Sequence, residues 1–476
     1  MKKAFVFFLC AAMLLSVLSA CADKGGDSAE TTSSPVVSTA GNTDETTAEP
    51  PLTIAVENLS SNGKPLAFNM LVRTNRYAYL FCEEPSGDLI DYAVYKRNSM
   101  IEDLYGIKIS ISESGDAAGF STYMNAASTD YDICVPDYWW NLDLQGFFTD
   151  ILSLPEIDTS DAWWYDGWNK NVTINGKMYT VAGDASLEML ENLEVMFFNK
   201  NMAKDKNIDI YKYASDGQWT VDKCLEVINT ASSGLDDSDT NNDVYGALYD
   251  VHSLDAQLYS CGLRLSEVGE SEIGIDIANS QKTVDIAEAV TKLIGAVGTD
   301  YSSKTARARD WSLFKNGNAL IYATALYLGK SLKSGNLDFD YGIVPMPKLA
   351  EEDQYISTSY GVSVFAIPVS VASTHNSALI LNALNFNSAN TDDSVVTTFF
   401  DVILKYQVAN SPEDIENLDL VRKNVYIDFA FIYDVGLDSA IKNAVIDKTS
   451  ASVALKAAVK TAGSKIKNNI IAAYEK

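Results

Sequence analysis

The sequence predicts an α/β fold in which strands alternate with helices along the chain. The first of three observations is a capped helix, because Asp88 can cap a helix that runs to about Tyr105, with Gly106 at its C′ position. The second is the stretch 107–111 directly after it, where Ile alternates with polar residues as in a strand. The third is that predicted helices and strands keep alternating along the chain, which implies mostly parallel sheets with helices on both faces.

The other predicted elements come from the same signals. Further strands are predicted at Asp130–Val135, Met178–Val181, Glu194–Phe198 and Tyr341–Val344. Further helices are predicted at about Val221–Ala231, Val284–Val297 and Asn376–Ser388. In such sheets ligands bind beyond the carboxyl ends of the strands, so loops that follow strands are the first places to look for a site.

Residues 1–20 have the form of a secretory signal peptide. Two lysines precede an apolar run that is too short to span a membrane, and Leu18-Ser19-Ala20-Cys21 follows. This ending resembles a bacterial lipobox, which implies that Cys21 carries acyl chains such as palmitate and anchors the protein to the extracellular face of the cytoplasmic membrane. The alternative is an ordinary signal with a chance cysteine.

A tether is predicted at residues 21–50. Beyond Cys21 this stretch contains no aromatic residue and is rich in Ser, Thr, Gly, Ala, Asp and Glu, a composition that cannot bury enough apolar surface to fold. Globular structure is predicted to begin at Leu52.

The predicted body is large and acidic. The chain has 36 basic against 64 acidic side chains and a formal net charge of −28, which excludes nucleic acid as a partner because its phosphates would be repelled. A body of roughly 425 residues exceeds what one hydrophobic core usually serves, so two lobes are expected.

One long segment carries a resemblance to a known family. The segment IDTSDAWWYDGWNKNVTINGKMYTVAGDASLEMLENLEVMFFNKNM resembles the family 1 extracellular solute-binding proteins, in particular their lipoprotein branch in Gram-positive anaerobes. Further stretches follow in the order that the family uses: EEPSGDLIDYAVYKRNSMIEDLYGI, GQWTVDKCLEV, LFKNGNALIYATALYL, DYGIVPMPKL, GVSVFAIP and TTFFDVILKYQVANSPEDIENLDLV. The resemblance spans residues 52 to about 435 and rests on the joint order of these stretches.

The resemblance implies a type II periplasmic-binding-protein fold, with two α/β lobes joined by crossover strands around a central cleft. Lobe 1 would comprise 52–182 plus 342–388, and lobe 2 would comprise 184–340 plus 390–476. By analogy with the family, the lobes close on a solute, most often an oligosaccharide, which is passed to the permease subunits of an ABC importer. A monomer without enzymatic activity is expected.

The search for catalytic motifs agrees with a binding role. The chain has two histidines, His252 and His375, and no HExxH, GxSxG or P-loop motif. Two alternatives stay open: a secreted glycosidase, which needs only a pair of carboxyl groups across a bound sugar, and a surface lipoprotein that binds peptides or other ligands without a role in transport.

Metal and thiol chemistry receive little support. Cys82, Cys134, Cys224 and Cys261 form no CxxC pair and are expected to be buried free thiols. No cofactor is expected. The spacing of Asp237, Asp239, Asn241 and Asp243 resembles a calcium loop, but it lacks the glycine and the glutamate that such a loop needs at its sixth and twelfth positions. An acidic surface turn is the alternative.

Aromatic residues supply the candidate ligand site. Five of the seven tryptophans lie within residues 136–168. A sugar site needs flat aromatic rings with Asp, Glu, Asn or Gln beside them. Asp137, Tyr138, Trp139 and Trp140 follow a predicted strand and are the leading candidates, with Asp137 as the acceptor for a sugar hydroxyl.

The second tryptophan group, which includes Trp163, is expected to pack in the core, with a ligand contact at Trp163 as the alternative. Further candidates are chosen for their positions near the predicted crossovers, at a helix start, or where the family places a stacking ring. They are Asp184, Ser186, Glu84, Tyr327 and Tyr360.

Overall fold

The computed structural model of the protein describes residues 53–235, 242–270, 272–301, 306–391 and 393–475, with no side chains at 306–310. The predicted signal peptide, Cys21 and the tether lie outside the described residues, as do Asp237, Asp239 and Asn241 of the calcium candidate. Among the described helices, none has the length and apolar character needed to cross a membrane.

The first sheet contains three parallel strands in the order β2-β1-β3. Their bounds are Leu66–Arg73 for β1, Ile107–Ser114 for β2 and Ile133–Val135 for β3. Apolar and polar residues alternate at the start of β2, which buries Ile107 and Ile109 and leaves Lys108 exposed. The predicted period-two strand after the first helix is therefore confirmed.

Helix α1, Leu89–Tyr105, connects β1 to β2 and has the predicted caps. The Asp88 carboxylate accepts a hydrogen bond from the backbone N–H of Ile90 at 2.8 Å. Gly106 ends the helix at φ 63°, a backbone conformation that glycine adopts without steric cost.

The second sheet has five strands in the order β10-β4-β9-β5-β8 and mixes both pairing directions. Its strands are β4 Glu194–Asn199, β5 Tyr245–Tyr249, β8 Thr299–Tyr301, β9 Ala319–Ala325 and β10 Tyr341–Pro345, and β6 Glu267–Val268 pairs separately with β7 Ile273–Gly274. Strands β9, β5 and β8 are parallel to one another, whereas β4 runs antiparallel to both β9 and β10. The prediction of mostly parallel sheets is therefore wrong for the β4 and β10 side.

Helices cover both sheets and make up the end of the chain. After α1 they are α2 Ala117–Asn125, α3 Asp166–Val172, α4 Glu188–Glu191, α5 Lys200–Asp205, α6 Ile210–Ser215, α7 Val221–Ala231, α8 Ser253–Ser260, α9 Gln281–Ile294, α10 Ala306–Lys315, α11 Leu328–Ser334, α12 Thr374–Ala389, α13 Val395–Thr397, α14 Pro412–Lys423, α15 Phe429–Ile432, α16 Leu437–Ile446, α17 Ala451–Lys465 and α18 Ala472–Tyr474. Two π-helical stretches, Thr398–Val408 and Ile466–Ile471, continue α13 and α17. Helix α7 has the predicted bounds, whereas α9 begins three residues earlier than predicted because Ser280 caps it.

Two extended segments, the predicted strand Met178–Val181 and the stretch GVSVFAIP at 361–368, do not form regular strands in the structure. The segment 361–368 is buried throughout, but it pairs with several partners in turn through single antiparallel bridges. Phe365 pairs with Val181, and Ala366 pairs with Cys134. A ladder needs successive pairs with one partner, so neither 361–368 nor Met178–Val181 becomes a regular strand. These bridges instead tie the first sheet to the segment that precedes α4.

The lobe boundaries stay a prediction, but the pairing of β10 concerns the boundary at residue 342. The return to lobe 1 was placed at residue 342, but Tyr341–Pro345 pairs along its whole length with β4 in the second sheet. The chain therefore leaves that sheet only after Pro345.

A buried arginine of α1 joins segments that are far apart in the sequence. Arg97 of α1 is 3% exposed and donates to the carbonyls of Tyr79 at 3.1 Å, Leu80 at 3.0 Å and Ala185 at 3.2 Å. It also donates to Ser388 Oγ of α12 at 2.8 Å. Burial lowers its pKa to about 9, and its acceptors are neutral oxygens.

The four cysteines among the described residues are free thiols, as expected. Cys134, Cys224 and Cys261 are buried, and Cys82 is half-buried.

Candidate functional site

A cleft of about 870 Å³ lies where the edges of the two sheets face each other. From the first sheet, Arg76 follows β1, and Tyr138 and Trp139 follow β3. From the second sheet, His252 follows β5 and Tyr327 follows β9. The carboxyl ends of parallel strands in both sheets therefore open into this cleft, which is where ligands bind in α/β folds.

The loop after β3 sends neighbouring side chains in different directions. Tyr138–Trp140 form a single 3₁₀ turn, so consecutive side chains leave at different angles. Trp139 is 57% exposed at the cleft and Tyr138 is half-buried in its wall. Trp140 lies outside the cleft lining and packs edge to face on Phe120, with ring centroids 5.4 Å apart. Of the two neighbouring tryptophans in the predicted loop, Trp139 therefore faces the cleft and Trp140 packs on Phe120.

Two arginines, one at the end of β1 and one just after it, each meet a buried carboxylate behind this wall. Arg73 forms an ion pair with Asp137, and its guanidinium lies 5.7 Å from the ring centroid of Trp139. Burial raises the pKa of Asp137 and the nearby Arg73 charge opposes that rise. Asp137 is 6% exposed and lies outside the lining of the cleft. Its predicted role as a hydroxyl acceptor is therefore not supported by its position.

Arg76 forms the second of these pairs, with Glu188 of α4. Ser363, from the segment 361–368, donates its hydroxyl to the same carboxylate. Because Arg76 belongs to the loop after β1 and Glu188 directly precedes β4, this pair connects the two walls of the cleft. The pair thereby holds the Arg76 side chain in place where it lines the cleft.

A row of aromatic rings runs along the cleft. Ring centroids are 6.3 Å apart for Trp139 and Tyr138, and 6.2 Å apart for Tyr138 and Phe431. They are 5.2 Å apart for Phe431 and Tyr360, and 4.5 Å apart for Tyr360 and His252. All five side chains line the cleft. Flat faces at this spacing suit a ligand built of successive apolar-faced rings.

The position of Phe431 depends on Asp428, which caps the short helix α15. Asp428 is fully buried and its carboxylate accepts from the N–H of Ala430 at 2.8 Å and from the Tyr426 hydroxyl at 2.9 Å. It also accepts from Leu265 N–H at 2.9 Å, and from the Ser266 hydroxyl. One carboxylate therefore fixes the segment that carries Phe431 against a loop more than 160 residues earlier in the chain.

Helices α4, α8, α11 and α16 contribute acidic and basic side chains to the other side of the cleft, here called the second wall. Lys330 of α11 forms an ion pair with Glu191 at 3.2 Å, and Lys442 of α16 forms one with Asp255 of α8. Burial raises the pKa of Asp255, and the Lys442 charge opposes that rise. Asp438, one turn before Lys442, also lines the cleft, and burial followed by the Asp255 charge raises its pKa to about 7.

The last residues of the chain support the first wall from behind. The Tyr474 hydroxyl, in α18, donates to the buried Asp143 carboxylate at 3.0 Å, and Tyr433 donates to the same oxygen at 2.8 Å. Asp143 lies just beyond the loop that carries Trp139. The chain end thereby holds this loop from the side opposite the cleft.

Of the ten predicted ligand residues, the structure brings four to the cleft: Tyr138, Trp139, Tyr327 and Tyr360. The other six, Asp137, Trp140, Asp184, Ser186, Glu84 and Trp163, lie outside its lining. Trp163 is 3% exposed, donates its ring N–H to Asn382 Oδ1 at 2.9 Å and packs on Phe386. Ser186 is buried, whereas Glu84 is exposed before α1.

Asp184 is buried in the segment before α4, which makes it a probe of pH-dependent stability. Burial raises its pKa to about 7, against the opposing effects of Tyr165 and Arg422. Between pH about 4 and 7 the unfolded chain loses this proton while the folded chain keeps it, so the free energy of unfolding falls as pH rises. Asp184→Asn should remove this loss, gaining up to about 4 kcal/mol relative to the native protein across that range in urea unfolding.

Asp158→Asn provides a control of opposite sign. Hydrogen bonds from the Ser160 hydroxyl and N–H lower the pKa of the exposed Asp158 carboxyl. That carboxylate stabilises the fold at higher pH, so this variant should lose a little stability relative to the native protein as pH rises. Parallel pH curves for the native protein and Asp184→Asn would contradict the expected burial effect.

Several cleft residues were missed by sequence reasoning. Arg76 and His252 each follow a strand within three residues, so the strand-end rule could have found them once the strands were placed. Phe431, Asp438 and Lys442 come from the C-terminal helices, and no local pattern marks them as facing the cleft.

Within the described ranges, no group of three or more His, Cys, Asp or Glu side chains is arranged to hold a metal ion. Three of the four calcium candidates lie outside those ranges, so the calcium hypothesis stays a prediction.

Solved structures of other proteins have the same fold as this chain. Neither a protein-family profile nor a curated protein matches the sequence. Solved structures do match over most of the chain. An ABC substrate-binding protein of Listeria monocytogenes in complex with cycloalternan is 14% identical with a TM-score of 0.54, covering 85% of this chain and 99% of its own.

Two further structures are similar to the chain. The cyclic alpha-maltosyl-1,6-maltose binding protein of Arthrobacter globiformis is 14% identical, with a TM-score of 0.58 and coverage of 85% of this chain and 100% of its own. The extracellular solute-binding protein of Staphylococcus aureus in complex with maltose is 15% identical, with a TM-score of 0.58 and coverage of 85% and 98%. The chain therefore has the periplasmic-binding-protein fold that the sequence resemblance implied, and these neighbours are binding proteins.

Proposed function

We propose that this chain is the solute receptor of an ABC importer, a member of the family 1 extracellular solute-binding proteins, and that it captures an oligosaccharide in the cleft between its two sheets. The row of rings from Trp139 to His252 is the observation that carries the proposal. Each pyranose offers an apolar C–H face to such a ring, while Glu191, Asn192 and the other polar lining groups can bond its hydroxyls.

The structural neighbours support this class of ligand. The Listeria and Staphylococcus proteins are bound to cycloalternan and maltose, and the Arthrobacter protein is described as binding a cyclic maltosyl-maltose. The ligand of this chain would make contacts to both walls, which is how a ligand stabilises the closed state of a two-lobe receptor.

The two neighbouring tryptophans of the loop after β3 provide a matched test. Trp139→Ala should weaken saccharide binding by about 1–3 kcal/mol if a sugar ring stacks on the exposed indole, by analogy with bases stacked on aromatic side chains. Trp140→Ala should lower stability through its lost contact with Phe120 and leave affinity unchanged. The measurement is titration calorimetry with maltotetraose and cycloalternan, after a thermal-shift screen of saccharides and peptides.

Three results would argue against the proposal. If peptides but no saccharides raise the melting temperature, the ligand is not a sugar. If Trp139→Ala binds as the native protein does, the ring row is not the binding surface. If the protein hydrolyses a saccharide that it binds, it is a glycosidase and not a receptor.

We also propose that Cys21 is lipidated and that residues 21–50 tether the receptor to the membrane. The support is the Leu18-Ser19-Ala20-Cys21 sequence and the polar composition after it. Cys21→Ser should move the protein from the membrane fraction to the medium and abolish labelling by a palmitate analogue. Retention of Cys21→Ser in the membrane fraction would contradict this, and unchanged uptake after deletion of the gene would contradict a role in transport.

A further inference from the structure

We propose that Asp438 is a specificity-determining residue of the cleft and that the preferred ligand is an oligosaccharide carrying an ammonium group, such as an amino-sugar oligomer. The inference rests on the proposed function, because it assigns a chemical class to the ligand of the same cleft. It follows from the charges that the protein leaves uncompensated there.

The Lys and Arg side chains that line the described part of the cleft are already engaged. Arg76 is paired with Glu188, Lys330 with Glu191 and Lys442 with Asp255. Lys465 donates to the backbone carbonyl of Asp434 at 2.6 Å. Three of these four cations are neutralised by carboxylates, and the fourth, Lys465, is bonded to a neutral carbonyl. The cleft therefore offers a ligand little free positive charge, which disfavours an acidic sugar.

Asp438 is a carboxylate of the cleft lining that has no such cationic partner among the described residues. Its Oδ1 is buried and has no hydrogen-bond partner, and none of the ion pairs of the described residues includes it. Burial raises the pKa of Asp438, and the negative charges of Asp255 and Asp434 raise it further. A buried carboxyl oxygen without a donor is costly, and a second carboxylate beside it adds repulsion.

The groups facing Asp438 come from every element around it. Asp434 lies on its own segment, Asp255 on α8 with Lys442 paired to it, Tyr138 on the loop after β3, and Tyr259 on α8. Burial raises the pKa values of both tyrosines, and the negative charge of Asp438 contributes to each rise.

An ammonium group suits this environment better than a neutral hydroxyl. A hydroxyl can donate one hydrogen bond to Oδ1, but it leaves the repulsion between Asp438 and Asp255 in place. An ammonium donates the bond and also offsets the negative charge. The rings of Tyr138, Phe431 and Tyr360 in the same cleft add negative π-faces, which attract a cation.

The test uses three trisaccharides that differ in charge or in skeleton. The probes are the glucosamine trimer, its fully N-acetylated form, and maltotriose, titrated calorimetrically into the chain from Leu52 to Lys476, which is one compact unit. At about pH 6.5 the native protein should bind the glucosamine trimer at least about tenfold more tightly than the acetylated trimer. Binding should also release a proton as Asp438 ionises, which two buffers of different ionisation enthalpy would reveal.

Two variants assign the preference to the residue. In Asp438→Asn the preference should fall to about twofold or less, because the amide supplies no charge. Asp447→Asn, an exposed carboxylate at the other end of α16, should keep the native preference. The comparison of ligands on the native protein stands even if a variant folds poorly.

The outcomes separate this inference from the proposed function. Equal affinity for the charged and acetylated trimers, or an undiminished preference in Asp438→Asn, overturns the inference alone. Binding of maltotriose without the glucosamine trimer does the same and leaves the receptor function standing. If maltotetraose, cycloalternan and all three trimers fail to bind, the oligosaccharide function is overturned and this inference falls with it.

Discussion

Arg97→Met is expected to lower the free energy of unfolding by about 3–5 kcal/mol, since each buried polar group left without its partner costs about 1–3 kcal/mol. The guanidinium of Arg97 supplies donors to the carbonyls of Tyr79, Leu80 and Ala185 and to the Ser388 hydroxyl. Methionine fills part of the volume but leaves the carbonyls of Tyr79 and Ala185 without this donor, while Asn98 still donates to the Leu80 carbonyl at 2.8 Å. Urea unfolding followed by tryptophan fluorescence would measure the change.

The neighbouring residue offers a matched control. Lys96→Met makes the same kind of change one position earlier in α1, where the side chain is 49% exposed and forms only a 3.5 Å ion pair with the exposed Asp393. Its effect should stay within about 0.5 kcal/mol. If both variants lose the same small amount, Arg97 does not hold the segments together.

Asp428→Ala is the second large effect, expected to cost about 3–5 kcal/mol of stability and to weaken saccharide binding together with it, because several buried donors lose a charged acceptor. The N–H of Leu265 and the hydroxyls of Tyr426 and Ser266 lose this acceptor, and the Ala430 N–H keeps only the Ser266 oxygen at 3.1 Å. Phe431 is then no longer fixed in the ring row, although Asp428 is not among the residues that line the cleft.

Asp209→Ala separates this network from ordinary helix capping. Asp209 caps α6 at an exposed position and accepts only the N–H of Lys212, at 3.0 Å. Loss of such a cap should cost about 1 kcal/mol and leave saccharide affinity unchanged. An Asp428→Ala protein with native affinity would show that the buried carboxylate does not position the binding surface.

Local sequence signals located the elements that depend on their own residues. The α1 helix could be bounded in advance because Asp88 and Gly106 act on the backbone next to them. The segment 361–368 could not, since its β-like pattern reports burial on both faces, whereas pairing depends on which distant segments lie beside it. Its single bridges to Cys134 and Val181 are a property of the assembled fold.

The tryptophan cluster shows the same limit within the candidate site. Density of aromatic residues between 136 and 168 suggested a ligand surface, yet Trp139 is the exposed ring at the cleft, while Trp163, Trp164 and Trp168 are buried. The strand-end rule located the loop correctly. It does not predict which of the two adjacent rings faces the cleft, because consecutive side chains of a 3₁₀ turn point in different directions.

The bond from Tyr474 to Asp143 has a consequence for proteolytic processing. The strands of both sheets lie before residue 346, whereas Phe431, Asp438 and Lys442 of the cleft and Tyr474 lie after residue 430. A protease that cuts after residue 430 would therefore remove cleft residues and the support of the loop that carries Trp139, and leave the strands uncut. We expect such a clipped protein to lose solute capture.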